Sequence, residues 1–368
     1  MLDAPHGDRH IREVVKGLRD AIHTEVEHAH HLAVLEAGLQ AAVTLEFSTL
    51  PPYLTALWSV KDNQSFVADT IREVLQEEML HMALACNMLS GIGGAPKIKD
   101  AVPQYPGKLP MKVHPELAIG LSGLTKPAIA AFMEIERPAH QGHFLALESA
   151  TELKRAEAHE HDPEQEDFTI GEFYDSLLQS FHDANPVFTT DRQLTGPLAW
   201  FAVANLDDVT RAIDVIETQG EGSEGNPDAA VDSLAHYFRF AELYEGKRLT
   251  KDEASGKWSF TTPIEFDLEN DVWPVGEAPE GGYDENSCPN DEARRLLHKF
   301  NSTYSHLIDL LDAAWRSEDG QASLWHAIDT MFSLEKYALP LMQIARPDGK
   351  HYGPDFRYIP ETEREPMP

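Results

Sequence analysis

Apolar residues recur every three or four positions along most of this chain, a period that predicts helices. Between Ile11 and Leu45 Gly and Pro are almost absent, and Leu35, Leu39, Ala42 and Glu46 fall at spacings of 4, 3 and 4 on one face of a first helix. Pro51 and Pro52 follow; neither can donate to the carbonyls of Phe47 and Ser48, so the helix is expected to kink or restart just after Glu46. A second helix is predicted from about Ser65 to Ser90, with Ile71, Val74, Leu75, Met82, Ala85 and Leu89 on one face and residues 91–94 as its stop. After a Pro-rich connection over residues 96–115, a third helix, capped by Thr125, turns Ile129, Phe132 and Met133 inward before Pro138 interrupts it.

Residues 150–200 hold an acidic stretch and a short amphipathic helix near 170–182, read as an excursion between the third and fourth helices. The fourth carries Leu206, Val209, Ile213 and Ile216 at spacings of 3, 4 and 3 and stops at the Gly-rich residues 220–225. A further helical piece is expected over 229–245. From Lys257 to Leu268 the pattern alternates by twos, which predicts a short strand or extended wrap. Two more helices, near 290–316 and 321–346, precede a Pro-punctuated tail. The expected fold class is all-α: a four-helix bundle with an inserted segment and additional C-terminal helices. One domain is expected over 1–368, with the core at 28–246 and a wrap, helical pair and tail at 247–368.

Charge narrows the partners. Sixty-two Asp and Glu against thirty Lys and Arg, a formal net charge of -32, repel phosphate backbones and anionic lipids, so neither nucleic acid nor membrane is expected. The same surplus suits cations, and the 18 His residues add the imidazole that joins carboxylate in iron, manganese and zinc sites. No apolar run approaches the ~18–20 residues of a membrane span. The polar first ten residues lack the layout of a secretory signal, so a cytoplasmic protein is expected. Cys86 and Cys288 could form at most one bridge. No phosphate-binding or dinucleotide Gly motif and no nucleophile elbow is present.

The buried stripes themselves contain acids. Glu78 lies seven residues after Ile71 and four before Met82 on the apolar face of the second helix, and His81 three residues on completes an E-x-x-H pair. Glu77 points elsewhere. Glu46 continues the stripe of the first helix and Glu136 that of the third, whereas Glu134 does not. Converging carboxylates in an apolar interior need a shared countercharge, and a pair of divalent metals supplies it. One Glu from each of two helices with Glu/His pairs from the others is the ferritin-like di-iron pattern. The fourth helix has no E-x-x-H. Its stripe admits Glu217 or Glu221; the favoured reading joins Glu221 to His236, beyond the Gly-rich break. His140, four residues after Glu136, competes as a ligand or an outer partner of one. Glu25 with His28 and Glu27 with His30 also spell E-x-x-H, but His28 is 18 residues, about 27 Å of helix, from Glu46 and belongs to a solvated face. Met79, Met82, Met88 and Tyr53 are expected in the core or a pocket lining.

The segments Leu45–Leu54 (LEFSTLPPYL), Glu77–Gly94 (EEMLHMALACNMLSGIGG), Phe132–Pro138 (FMEIERP), Thr169–Asp175 (TIGEFYD), Gln219–Gly222 (QGEG) with His236 and Phe240, and Gly353–Tyr358 (GPDFRY) resemble the ferritin-like proteins related to iminophenyl-pyruvate dimer synthase. The likeness extends over roughly residues 30–358. It implies two iron ions, or manganese, held by Glu46, Glu78, His81, Glu136, Glu221 and His236, and it selects Glu221 over Glu217. Glu46, Glu78 and Glu136 are also the expected catalytic carboxylates. The family name implies oxidative coupling of imino acids derived from aromatic amino acids; the activity expected here is the broader one of an O2-dependent di-iron oxidase or oxygenase on a small aromatic or amino-acid-derived metabolite of secondary metabolism, in a small homo-oligomer. Two other classes compete: a ferroxidase or peroxide scavenger that handles iron, and a metal-free helical interaction scaffold.

Overall fold

The structure is a computed structural model; it describes residues 6–138, 169–196, 200–222, 227–228 and 233–365, with side chains from residue 27 onward. Helix α1 spans His6–Ser59 with Pro51 and Pro52 inside it, so of the kink or restart expected after Glu46 the restart does not occur and the helix runs on through both prolines. Tertiary structure overrides the local rule here. The Ser48 carbonyl that Pro52 cannot serve accepts from Tyr105 Oη at 2.7 Å, and flanking Phe47, Tyr53 and Ala56 are buried. His28 and His30, on the earlier part of α1, are solvent-exposed as expected.

Helix α2 spans Phe66–Gly91 and is capped by Ser65, whose hydroxyl accepts from Ala68 N–H at 3.2 Å. Helix α3, Lys126–Ile135, is capped by Thr125 and ends with Glu136 as its C-cap, two residues ahead of Pro138. Helix α4, Ile170–Ala184, opens with a capping box of Thr169 and Glu172. Helix α5, Leu206–Gly220, is capped by Asn205; helix α6, His236–Glu245, closes on Gly246 at φ 64°. Contacts join α1 to α2, α2 to α5, α5 to α4 and α4 back to α1, which closes a four-helix ring, while α3 packs on α6 and α6 touches α2 and α5.

Helix α4 is therefore part of the bundle rather than an excursion from it. Its Ile170, Phe173, Tyr174, Leu177 and Phe181 form one buried stripe against α1 and α5. The acidic residues 150–168, His140, the side chain of Glu25 and the start of the helical piece expected at 229 lie outside the described residues.

The alternating pattern after Lys257 is realised as β2, Trp258–Pro263, paired antiparallel with β1, Lys247–Lys251. Strand β1 escapes a sequence reading because only Leu249 of its five residues is buried. Helices α7, Asp291–Ala314, and α8, Gly320–Leu341, pack on each other, and α8 also meets α1. The last helix stops five residues short of expectation, with Pro340 in its final turn. Buried Asn87 of α2 locks these layers together: its amide donates to the carbonyls of Leu194 (2.8 Å) and Phe201 (2.9 Å), and its oxygen accepts from Trp315 Nε1 at 3.0 Å. Among the described residues no helix is long and apolar enough to cross a membrane.

Candidate metal centre

Mid-helix positions supply one end of the site. Glu46 of α1 and Glu78 and His81 of α2 are each 2% exposed, and the E-x-x-H spacing places His81 Nδ1 3.2 Å from Glu78 Oε1 and 3.7 Å from Glu46 Oε2. Helix termini supply the other end. Glu136 caps α3 and His236 opens α6; His236 Nδ1 lies 3.0 Å from Glu78 Oε1 and 3.5 Å from Glu136 Oε2. Two three-residue groups result, Glu46, Glu78 and His81 on one side and Glu78, Glu136 and His236 on the other, joined through Glu78.

Each carboxylate has one oxygen occupied by an outer hydroxyl. Tyr174 Oη donates to Glu46 Oε1 at 2.5 Å, Thr49 Oγ1 to Glu78 Oε2 at 2.6 Å, and Tyr53 Oη to Glu136 Oε1 at 2.6 Å. The second oxygen of each faces the imidazoles. Both rings are also fixed from outside: His81 Nε2 meets Gln219 Oε1 at 2.8 Å, and His236 Nε2 meets Glu77 Oε2 at 2.9 Å. A ring that donates through Nε2 leaves Nδ1 as a lone-pair donor in its neutral form, the state a metal ligand requires.

The electrostatics of the cluster favour added positive charge. Burial, aided by neighbouring Glu78, pushes the Glu46 carboxyl up to about 8. Burial also acts on Glu78, but the close approach of the His236 and His81 rings wins and holds it well below the usual carboxylate range. Burial works against charge on the two imidazoles and is overcome, at His81 by Glu78 and at His236 by Glu136, Glu77 and Glu78, so both are held above their ordinary value. Protons held on Glu46 and on the two imidazoles thus offset the charge of the cluster. Among the described residues no Lys or Arg forms an ion pair with Glu46, Glu78 or Glu136. His236 Nδ1, wholly buried, has no hydrogen-bond partner of acceptable geometry. An orphaned ring nitrogen facing two inward carboxylate oxygens fits a divalent metal in both charge and donor type.

The other expected ligands are placed differently. Helix α5 ends at Gly220 and the chain turns at Gly222, φ 83°, so the backbone leaves regular helix at Glu221 as its flanking glycines suggested. Glu221 belongs to neither three-residue group. Its Oε1 accepts from Gly171 N–H at 2.7 Å, satisfying an otherwise open donor in the first turn of α4. A Cβ at residue 171 would lie 2.8 Å from Glu221 Oε2, so a larger residue there would push this carboxylate aside. The cluster is nonetheless one residue away: a Cβ on Gly220 would lie 3.4 Å from Glu136 Oε2. Glu217 is half-buried, and its carboxyl is pushed up to about 8 by burial and by Asp175 and Glu221.

Glu77 has a role that its outward placement did not suggest. It does point out of the cluster, but onto His236, with Arg239 Nη1 3.0 Å from its Oε2. Tyr53 is a core residue, as expected, and a hydrogen-bond donor to Glu136 as well. Gln219, Tyr174 and Thr49 were missed. Thr49 and Tyr53 follow Glu46 by three and seven residues on the same helix face, and Tyr174 sits on the buried stripe of α4, so a search for hydroxyls on the acid-bearing faces would have found them.

The model of the family described as ferritin-like matches residues 39–245, more than half of the chain. A solved structure entitled a ferritin-like protein from Caulobacter vibrioides is similar in fold, with a TM-score of 0.53 at 19% identity, covering 82% of this chain and 95% of that one. No curated protein matches. The bundle, the site it encloses and the family match agree: this chain belongs to the ferritin-like family.

Proposed function

We propose that the chain is a di-iron oxidoreductase, with manganese as the alternative metal, that uses O2 to oxidise or oxygenate a small aromatic or amino-acid-derived metabolite. Relation to iminophenyl-pyruvate dimer synthase and a place in secondary metabolism are part of the same proposal. The observation that carries the metal reading is the pair of buried ligand groups sharing Glu78. Bound there, two iron ions would supply one-electron chemistry with dioxygen.

The remaining work falls to the chain. Glu46, Glu78, His81, Glu136 and His236 hold the ions, and Glu221 is the proposed sixth ligand, released from Gly171 N–H. Tyr174, Thr49 and Tyr53 fix one oxygen of each acid, which orients the other inward. Gln219 and Glu77 set the imidazole tautomers. Burial excludes water from the donors and strengthens each contact.

Support for an enzyme over an iron handler comes from α7 and α8, which extend the chain beyond the 39–245 family match. Anaerobic loading should give about two iron per chain, and O2 uptake by the reduced protein should accelerate with an aromatic amino-acid-derived substrate. Fewer than about 0.2 equivalents of metal would remove the di-metal reading. Two equivalents with turnover on iron alone, or a mineral-filled shell, would establish iron handling.

A further inference from the structure

A second site lies on other faces of α1 and α2. Phe47, Met79 and Met82 are the chain neighbours of Glu46, Glu78 and His81, each turned by about 100° around its helix. They face a cavity of about 100 Å³ whose far wall is α7 and α8 with the adjoining Trp315. No charged residue lines it. An apolar pocket of this size, partly open to solvent between packed helices, has room for a small apolar occupant. More than half of its lining residues lie outside the segment that matches the ferritin-like family.

We propose that this cavity is a binding site for an uncharged aromatic ring. An apolar void of about 150 Å³ takes up benzene or xenon, and here the walls include Met79, Met82 and Met331, whose unbranched side chains can shift to admit a ring. Sulfur favours a ring edge, and Phe47, Tyr304 and Trp315 offer edge-to-face partners that an aliphatic ligand could not use. An ionised ligand is excluded, because nothing in the wall replaces its hydration. Met79 and Met331 are partly exposed, which opens an approach from solvent. The site does not depend on the metal reading.

Toluene, benzoate and cyclohexane should be titrated against the full chain, following thermal midpoint and ligand-observed NMR. Toluene is expected to bind saturably and raise the midpoint, cyclohexane more weakly, and benzoate not at all. Ala327→Leu and Ala83→Leu each fill the cavity from a different wall and should weaken toluene by about tenfold or more. Using both keeps the test alive should one variant fail to fold. No saturable toluene binding by the native chain, or undiminished binding by a folded filling variant, would overturn the site. Benzoate or cyclohexane binding as tightly as toluene would overturn its assignment to neutral aromatic rings.

Discussion

The two halves of the candidate metal centre share ligand types and one carboxylate, yet they are backed differently. In the first, His81 rests on the neutral amide of Gln219, while Glu217, Asp175, Asp214 and Glu221 crowd the neighbouring turn. In the second, His236 rests on a carboxylate, Glu77, itself paired with Arg239. A carboxylate behind an imidazole makes the ring more electron-rich and a better donor. The lesson is that equal ligands need not make equal sites. The His236 half should bind a divalent ion more tightly, and the His81 half should load second.

Removing the shared ligand tests whether the halves are joined. Glu78→Ala should abolish binding of both ions in an equilibrium titration with elemental analysis; one full equivalent surviving would show that Glu78 is not common to both. Removing one ring at a time comes next. His236→Ala should lose the tighter equivalent and His81→Ala the weaker, and a reversal would invert the comparison.

Outer partners should have smaller effects. Glu77→Gln keeps a hydrogen-bond acceptor for His236 but removes its charge, and should weaken the tighter ion by about 10–100-fold while leaving the weaker one unchanged. Equal weakening of both would show that Glu77 acts through overall charge. Glu221→Gln can still accept from Gly171 N–H, so it preserves the cap on α4; reduced metal occupancy would mark a ligand, and unchanged occupancy a cap alone.

Protons give the mildest test. Glu46, raised to about 8 in the fold, and the raised imidazoles all contribute stability that is lost as pH rises, whereas depressed Glu78 contributes stability lost only in acid. The metal-free chain should therefore melt at lower temperature at pH 8.5 than at pH 6. Metal should restore the midpoint, and its affinity should rise about tenfold per pH unit below pH 8 for each proton displaced. A flat profile would show that protons do not stand in for the ions.

The same comparison explains what the sequence could reveal. Glu46, Glu78 and His81 are mid-helix, where a 3.6-residue stripe reports the buried face directly. Glu136 and His236 stand at helix ends, where periodicity weakens; Glu136 was still legible from the stripe before it, and His236 followed from the Gly-rich break. Partners from far along the chain were invisible. Gln219 reaches His81 across 138 residues and Glu77 reaches His236 across 159, and no local pattern encodes such pairings. Helix α4 was found but misplaced for the same reason, since its stripe shows that it is buried and not against what.

Pro51 and Pro52 leave α1 with two consecutive residues that have no amide to exchange with deuterium. Glu46 lies on one side of this gap and Tyr53, which holds Glu136, begins the other. With the Ser48 carbonyl tied to Tyr105, opening of this turn requires residues near 105 to let go as well. Exchange mass spectrometry should accordingly find the segment around 105 opening in step with residues 46–50, while residues 53–58 open independently. The prolines that fail to end the helix would then divide it into two cooperative units, and the divide falls beside the candidate metal centre.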